Sequence, residues 1–61
     1  MALVLLRRQL PGKQVDVAVN PANVEWVQPS DEGMTDVRML DGMNLYIVGP
    51  FNEVWRALNV S

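Results

Sequence analysis

Between residues 14 and 19 the chain alternates strictly. Val15, Val17 and Val19 fall on one side of an extended backbone, and Gln14, Asp16 and Ala18 fall on the other. That pattern predicts a strand with one buried face. An aliphatic stretch over about 2–8 (ALVLLRR) predicts an earlier strand. Leu10-Pro11-Gly12-Lys13 separates the two as a turn, in which proline presets φ and glycine accepts a positive φ. Asn20-Pro21-Ala22-Asn23 then breaks the alternation and predicts one helical turn, capped by Asn20 with Pro21 in first position. Val24 and Trp26 share a face of a third strand over about 24–28, and PSDEG over 29–33 reads as a solvated loop. Two more strands are predicted over about 34–40 and 43–48, with the spacing of a meander.

Parity chooses the turn between the last two strands. A two-residue Asp41-Gly42 loop would put Val37 and Met39 on the face of Asn44 and Tyr46. A three-residue loop, Leu40-Asp41-Gly42, aligns Val37 with Leu45 and Thr35 with Ile47 and keeps the apolar sets together. The period changes after Pro50. Phe51, Val54, Trp55 and Leu58 recur at i, i+3, i+4 and i+7, the stripe of a helix over about 50–59, with Phe51 and Trp55 expected on its core side. The reading is α+β: one domain, 1–61, with a small antiparallel five-stranded sheet or half-barrel followed by one C-terminal helix.

The opening strand differs from the others because both its faces are apolar, Leu3 and Leu5 on one and Val4 and Leu6 on the other. A helix of about ten residues covers one face of a small sheet. Leaving two large aliphatic side chains in water forfeits roughly 1.5–3 kcal/mol each. Either the sheet curls and takes one set inside, or another chain covers the face. The second expectation is adopted, most simply a twofold homodimer with Val4 and Leu6 in the interface. Trp26 has two readings, core or interface anchor.

Composition narrows the chemistry. The 61 residues are 49% hydrophobic and 20% charged, a globular balance. With no cysteine and no histidine, a disulfide framework, a thiol nucleophile, a cysteine/histidine zinc site and a histidine base are all excluded. The net charge of −2 argues against a duplex-DNA binder acting through bulk charge. The apolar run over 2–6 is far short of the ~20 residues that span a bilayer, and it has no basic start or small-residue cleavage site. A cytoplasmic protein without membrane insertion is expected.

The succession of Leu5-Leu6-Arg7, Val19-Asn20-Pro21, Val24-Glu25, Thr35-x-Val37, Gly42, Tyr46-Ile47-Val48 and Phe51-x-Glu53-Val54 resembles the small FlbD-like (SwrD-type) proteins of bacterial flagellar operons. The last forty residues are also similar to the strand–hairpin–helix part of LytTR-type DNA-binding domains, and the overall layout to CsrA-like RNA-binding dimers. The first resemblance implies no enzyme. It implies a small accessory or regulatory protein linked to motility, and a phage-encoded accessory protein of the same fold is a related reading.

Candidate sites are few. Arg7, Arg8 and Arg38 form the basic set that a nucleic-acid-binding regulator would use, with Trp26 or Tyr46 stacking on bases; the competing reading is a solvated surface with local ion pairs. Asp31, Glu32 and Asp36 lack the spacing of a calcium loop and read as a solvated loop. Met34, Met39 and Met43 gather around the second hairpin, as core filler or as an adaptable contact surface. No catalytic residue, metal site or cofactor is assigned. The expected function is non-enzymatic protein–protein interaction, with a second copy or a host or machinery protein as partner; the alternative is nucleic-acid binding through the arginines.

Overall fold

Leu10 and Lys13 stand opposite each other, so Pro11 and Gly12 alone turn the first corner, with Gly12 at φ 77°. The strands they join are β1 (Val4–Leu10) and β2 (Lys13–Val19) in the computed structural model, which describes residues 2–59. Met1, Val60 and Ser61, the ends of the expected domain, lie outside the described residues. Asn20 caps a short 3-10 turn, Pro21–Asn23, by accepting a hydrogen bond from the Ala22 N–H at 3.0 Å. There follow β3 (Val24–Pro29), β4 (Met34–Met39), β5 (Asn44–Val48) and helix α1 (Phe51–Asn59).

The second hairpin has the three-residue loop that keeps its apolar sets together. Val37 faces Leu45 and Thr35 faces Ile47; Met39 N–H donates to Met43 O at 2.8 Å, and Gly42 sits at φ 93°. The chain is not a simple meander. The sheet order is β2-β1-β5-β4-β3, all pairs antiparallel, with β1 meeting β5 at Arg8↔Ile47. Strands β2 and β3, consecutive in sequence, are thus its two edges.

That order forces curvature. In a flat sheet, four inter-strand spacings of ~4.8 Å would hold β2 and β3 ~19 Å apart. The five Cα steps from Val19 to Val24 span at most ~18 Å when fully extended, and three of the linking residues are wound into a turn that rises only ~2 Å per residue. The sheet therefore rolls until its edges come within reach of the link. Leu40 N–H donates to Asn23 O at 2.8 Å and ties the link to the second hairpin.

Rolling decides which residues are inside. Val19, Val37, Leu45 and Ile47 line the concave face, and Val54 and Leu58 of α1 close over them. Val4, Leu6, Val17, Val24, Val27 and Met39 pack around that centre, half-buried. The expected placement of β1 is thus reversed: Val4 and Leu6 face the core, while Leu3 and Leu5 are 59% and 69% exposed. The reason is register. Val4 lies opposite Val19 and Leu6 opposite Val17, and opposed residues share a face. On the helix, Val54 and Leu58 are buried and Phe51 is half-buried, but Trp55 is 51% exposed. At ~100° per residue Trp55 falls on the flank of the Val54–Leu58 axis, where it stacks on Phe51 at 6.3 Å between ring centroids. Trp26 is not core either: it is 40% exposed and lies beside an irregularity in the β3–β4 register.

One buried polar group fastens the helix. Thr35 is fully buried and its hydroxyl donates to Gly49 O at 2.9 Å, in the link from β5 to α1. Gly49 also donates to Gly33 O at 2.8 Å. It adopts φ 135°, a backbone state that L side chains avoid.

Two substitutions test this core by urea denaturation followed by tryptophan fluorescence. Ile47→Ala removes a fully buried side chain and is expected to cost about 2–5 kcal/mol. That is most of a total stability of roughly 3–9 kcal/mol for a domain of this size. Thr35→Val is expected to cost about 1 kcal/mol through the lost hydrogen bond. A shift below about 1 kcal/mol for Ile47→Ala would remove Ile47 from the centre of the core.

Candidate binding site

The convex face of the sheet is finished with polar side chains set directly opposite one another. Arg7 Nη1 lies 2.8 Å from Asp16 Oδ1, Gln14 Nε2 donates to Gln9 Oε1 at 3.1 Å, and Arg38 Nη1 donates to Asn44 Oδ1 at 3.2 Å. Each is a true cross-strand pair in the register. Such pairs contribute only tenths of a kcal/mol each in water, but together they make this face a solvated one. Arg38 also has Glu25 at 3.8 Å from its Nε.

The arginines are therefore not brought together. Arg7 and Arg38 face outward with partners. Arg8, one residue from Arg7, points to the other side of the strand because side chains alternate. It is half-buried, and among the described residues it has neither an ion pair nor a hydrogen bond. It lines a groove of about 530 Å³ on the open flank of the rolled sheet. One wall is the end of β2, where Val17, Ala18 and Val19 all contribute. The other is the second hairpin, with Met39, Met43 and Leu45. Leu3 and Leu40 form the lips, 59% and 62% exposed. The one acidic side chain in the lining, Asp41, is already used by its own turn, since its Oδ1 accepts from Met43 N–H at 2.9 Å.

The three methionines divide. Met39 packs on the core, Met34 is half-buried opposite Val48, and Met43 is 50% exposed on the groove. Of the residues expected to form an interface, Trp26 lies at the surface, whereas Val4 and Leu6 are turned inward. Of the exposed apolar residues nearest the groove and the start of β1, Met43 belongs to the methionine set read from the sequence as core filler or contact surface, whereas Leu3, Leu5 and Leu40 were not singled out as contact residues. Strand parity separates Leu3 and Leu5 from Val4 and Leu6, but only the register with β2 says which pair faces in.

The loop acids make no site of their own. Asp31 Oδ2 accepts from the Tyr46 hydroxyl at 2.6 Å, anchoring the loop between β3 and β4 to the convex face of β5. Among the described residues no helix is long and apolar enough to cross a membrane. The chain matches no family model, no curated protein and no solved structure.

The Asp31–Tyr46 contact has a pH signature. The hydrogen bond to the Asp31 carboxylate, followed by desolvation and by that carboxylate's charge, raises the Tyr46 phenol above its ordinary value of 10.0. Ionisation is held off in the folded state, so the contact stabilises the fold below pH 10 and is lost as pH rises through the raised pKa. The chain has one tyrosine, so ultraviolet titration reads it alone. The midpoint is expected above 10, and Asp31→Asn is expected to lower it toward 10; equal midpoints in the two proteins would remove the contact.

Proposed function

We propose that this protein is a small non-enzymatic binding module that acts through protein–protein contacts, with a second copy of itself as its first partner. The observation that carries this reading is the placement of its uncovered apolar side chains. The convex face carries three directly opposed polar pairs. Leu3 and Leu5 stand apart from those pairs, 59% and 69% exposed, at the start of β1, and Leu3 shares the groove with the exposed Leu40 and Met43. In a chain of 61 residues such surface is costly to leave wet. A twofold contact would bury both copies of it at once.

The resemblance to FlbD-like proteins agrees with an accessory role of this kind and would assign that role to motility. Nucleic-acid binding finds less support: Arg7 and Arg38 are occupied by acceptors on the convex face, and Arg8 opens on the other side.

Light scattering at micromolar to millimolar concentration tests the reading, in combination with a pair of substitutions. The wild type is expected to run as a dimer. Leu5→Asp is expected to give a folded monomer whose melting temperature no longer rises with protein concentration, because the new charge sits in water and only the dimer's contribution is lost. Leu6→Asp is expected to unfold the protomer, because it places a charge against the core. A wild type that stays monomeric throughout, with Leu5→Asp indistinguishable from it, would overturn the homodimer.

A further inference from the structure

The groove has a property that an ordinary apolar depression lacks. Val17, Ala18 and Val19 are successive residues of one strand and all three line it. Successive side chains of a strand point to opposite faces, so a cavity touched by three in a row reaches the strand's backbone edge as well as the concave face, where Arg8 and Leu45 line it. Among the described residues that edge is unpaired, since β2 pairs only with β1.

The two edges of the sheet are also treated differently. Strand β3 carries a register irregularity between Val24 and Trp26 and ends in Pro29, both devices that discourage a further strand from adding. Strand β2 has no proline, and its register with β1 is unbroken from Lys13 to Val19. The edge beside the groove is the one left competent to pair.

Charge supplies the third constraint. Arg7 and Arg38 have acceptors; Arg8 has none among the described residues, and Asp41, the only acid in the lining, is committed to its own turn. Arg8, half-buried and lining the groove together with Val17 and Leu45, lacks a carboxylate, and such a pair is strengthened where water is partly excluded. A second copy presenting its own β2 does not supply one. In a twofold antiparallel edge pairing, concave-face residues oppose concave-face residues, and Asp16 lies on the convex face with Arg7.

We propose that the groove binds an extended segment of another protein, added as a strand to the free edge of β2, with aliphatic side chains against Met43 and Leu45 and an acidic side chain on Arg8. This rests on the protein-binding reading above and deepens it by giving a partner class other than a second copy. The mode is strand addition, in which backbone hydrogen bonds provide affinity and alternate side-chain contacts provide selectivity.

The test is selection from a random octapeptide library displayed on phage against the immobilised full chain, followed by titration of the selected peptide in solution. The expected consensus is an alternating aliphatic sequence with one glutamate or aspartate. Amide shifts should concentrate at Val15–Val19 and Met43–Leu45. Replacing the acid by its amide, or Arg8→Gln in the protein, should each weaken binding about tenfold and should not add when combined. N-methylation of alternate peptide amides should abolish binding without touching the protein's fold. Selection of nothing, or of a consensus without an acid, would overturn the proposal, as would shifts confined to the convex face at Leu5. So would binding of a simple fatty carboxylate with equal affinity and the same shifts, which would make the groove a small-molecule pocket. A dimer that selects no peptide defeats this inference and leaves the protein-binding reading standing; a monomer that selects none defeats both.

Discussion

The connection between β2 and β3 is too short for the sheet it closes. With β1 inserted beside β5, the strands on either side of that connection become opposite edges. Five backbone steps, partly wound by Pro21–Asn23, must then bridge what a flat sheet would hold ~19 Å apart. Curvature follows from chain connectivity before any side chain is considered. It solves the problem of a small chain with one helix: a rolled sheet hides its own concave face, and α1 needs only Val54 and Leu58 to complete the enclosure. Burial at Val37 and Ile47 reaches completion in a chain that has neither disulfide nor cysteine/histidine metal site to help it.

The same connection generates the groove. A link that holds β2 and β3 near each other at one point does not let them pair, and the β2 edge is left beside the β4–β5 hairpin with space between. Arg8 is drawn into that space by strand parity alone, one residue after an arginine that meets Asp16 on the convex side. Adjacent residues with identical side chains thus finish the convex surface and line the groove, separated only by the pleat. The hairpin wall is adaptable in composition, with Met43 exposed and Met39 behind it.

Fastening is economical in polar terms. Among the described residues Thr35 is the one polar residue fully inside, and its hydroxyl meets the Gly49 carbonyl at the entrance to the helix. Gly49 is required there by its positive φ, and a side chain would also reach Val54. On the opposite surface Tyr46 holds the loop at Asp31. The concave core and the convex tether are therefore both attached to β5, through Ile47 and Tyr46, which point to opposite faces of one strand.

Local information alone determined the five strands, the closing helix, the Pro11-Gly12 corner, the Asn20 cap and the three-residue Leu40–Gly42 loop. Each depends on periodicity or on the φ preferences of residues within a few positions, and these act before distant parts of the chain meet. The same alternation already separated Leu3 and Leu5 from Val4 and Leu6, and Arg7 from Arg8. Tertiary structure alone decided which of those sets turns inward, because a strand's two faces are equivalent until a neighbour's register breaks the tie; pairing Val4 with Val19 and Leu6 with Val17 broke it. It alone moved Trp55 to the flank of the helix, since the stripe fixes a face only to within the width of its four residues and the contact with the sheet picks the axis. The pairing of β1 with β5 was likewise invisible along the chain. It joins residues some forty positions apart, and the curvature, the free β2 edge and the groove at Arg8 all descend from it.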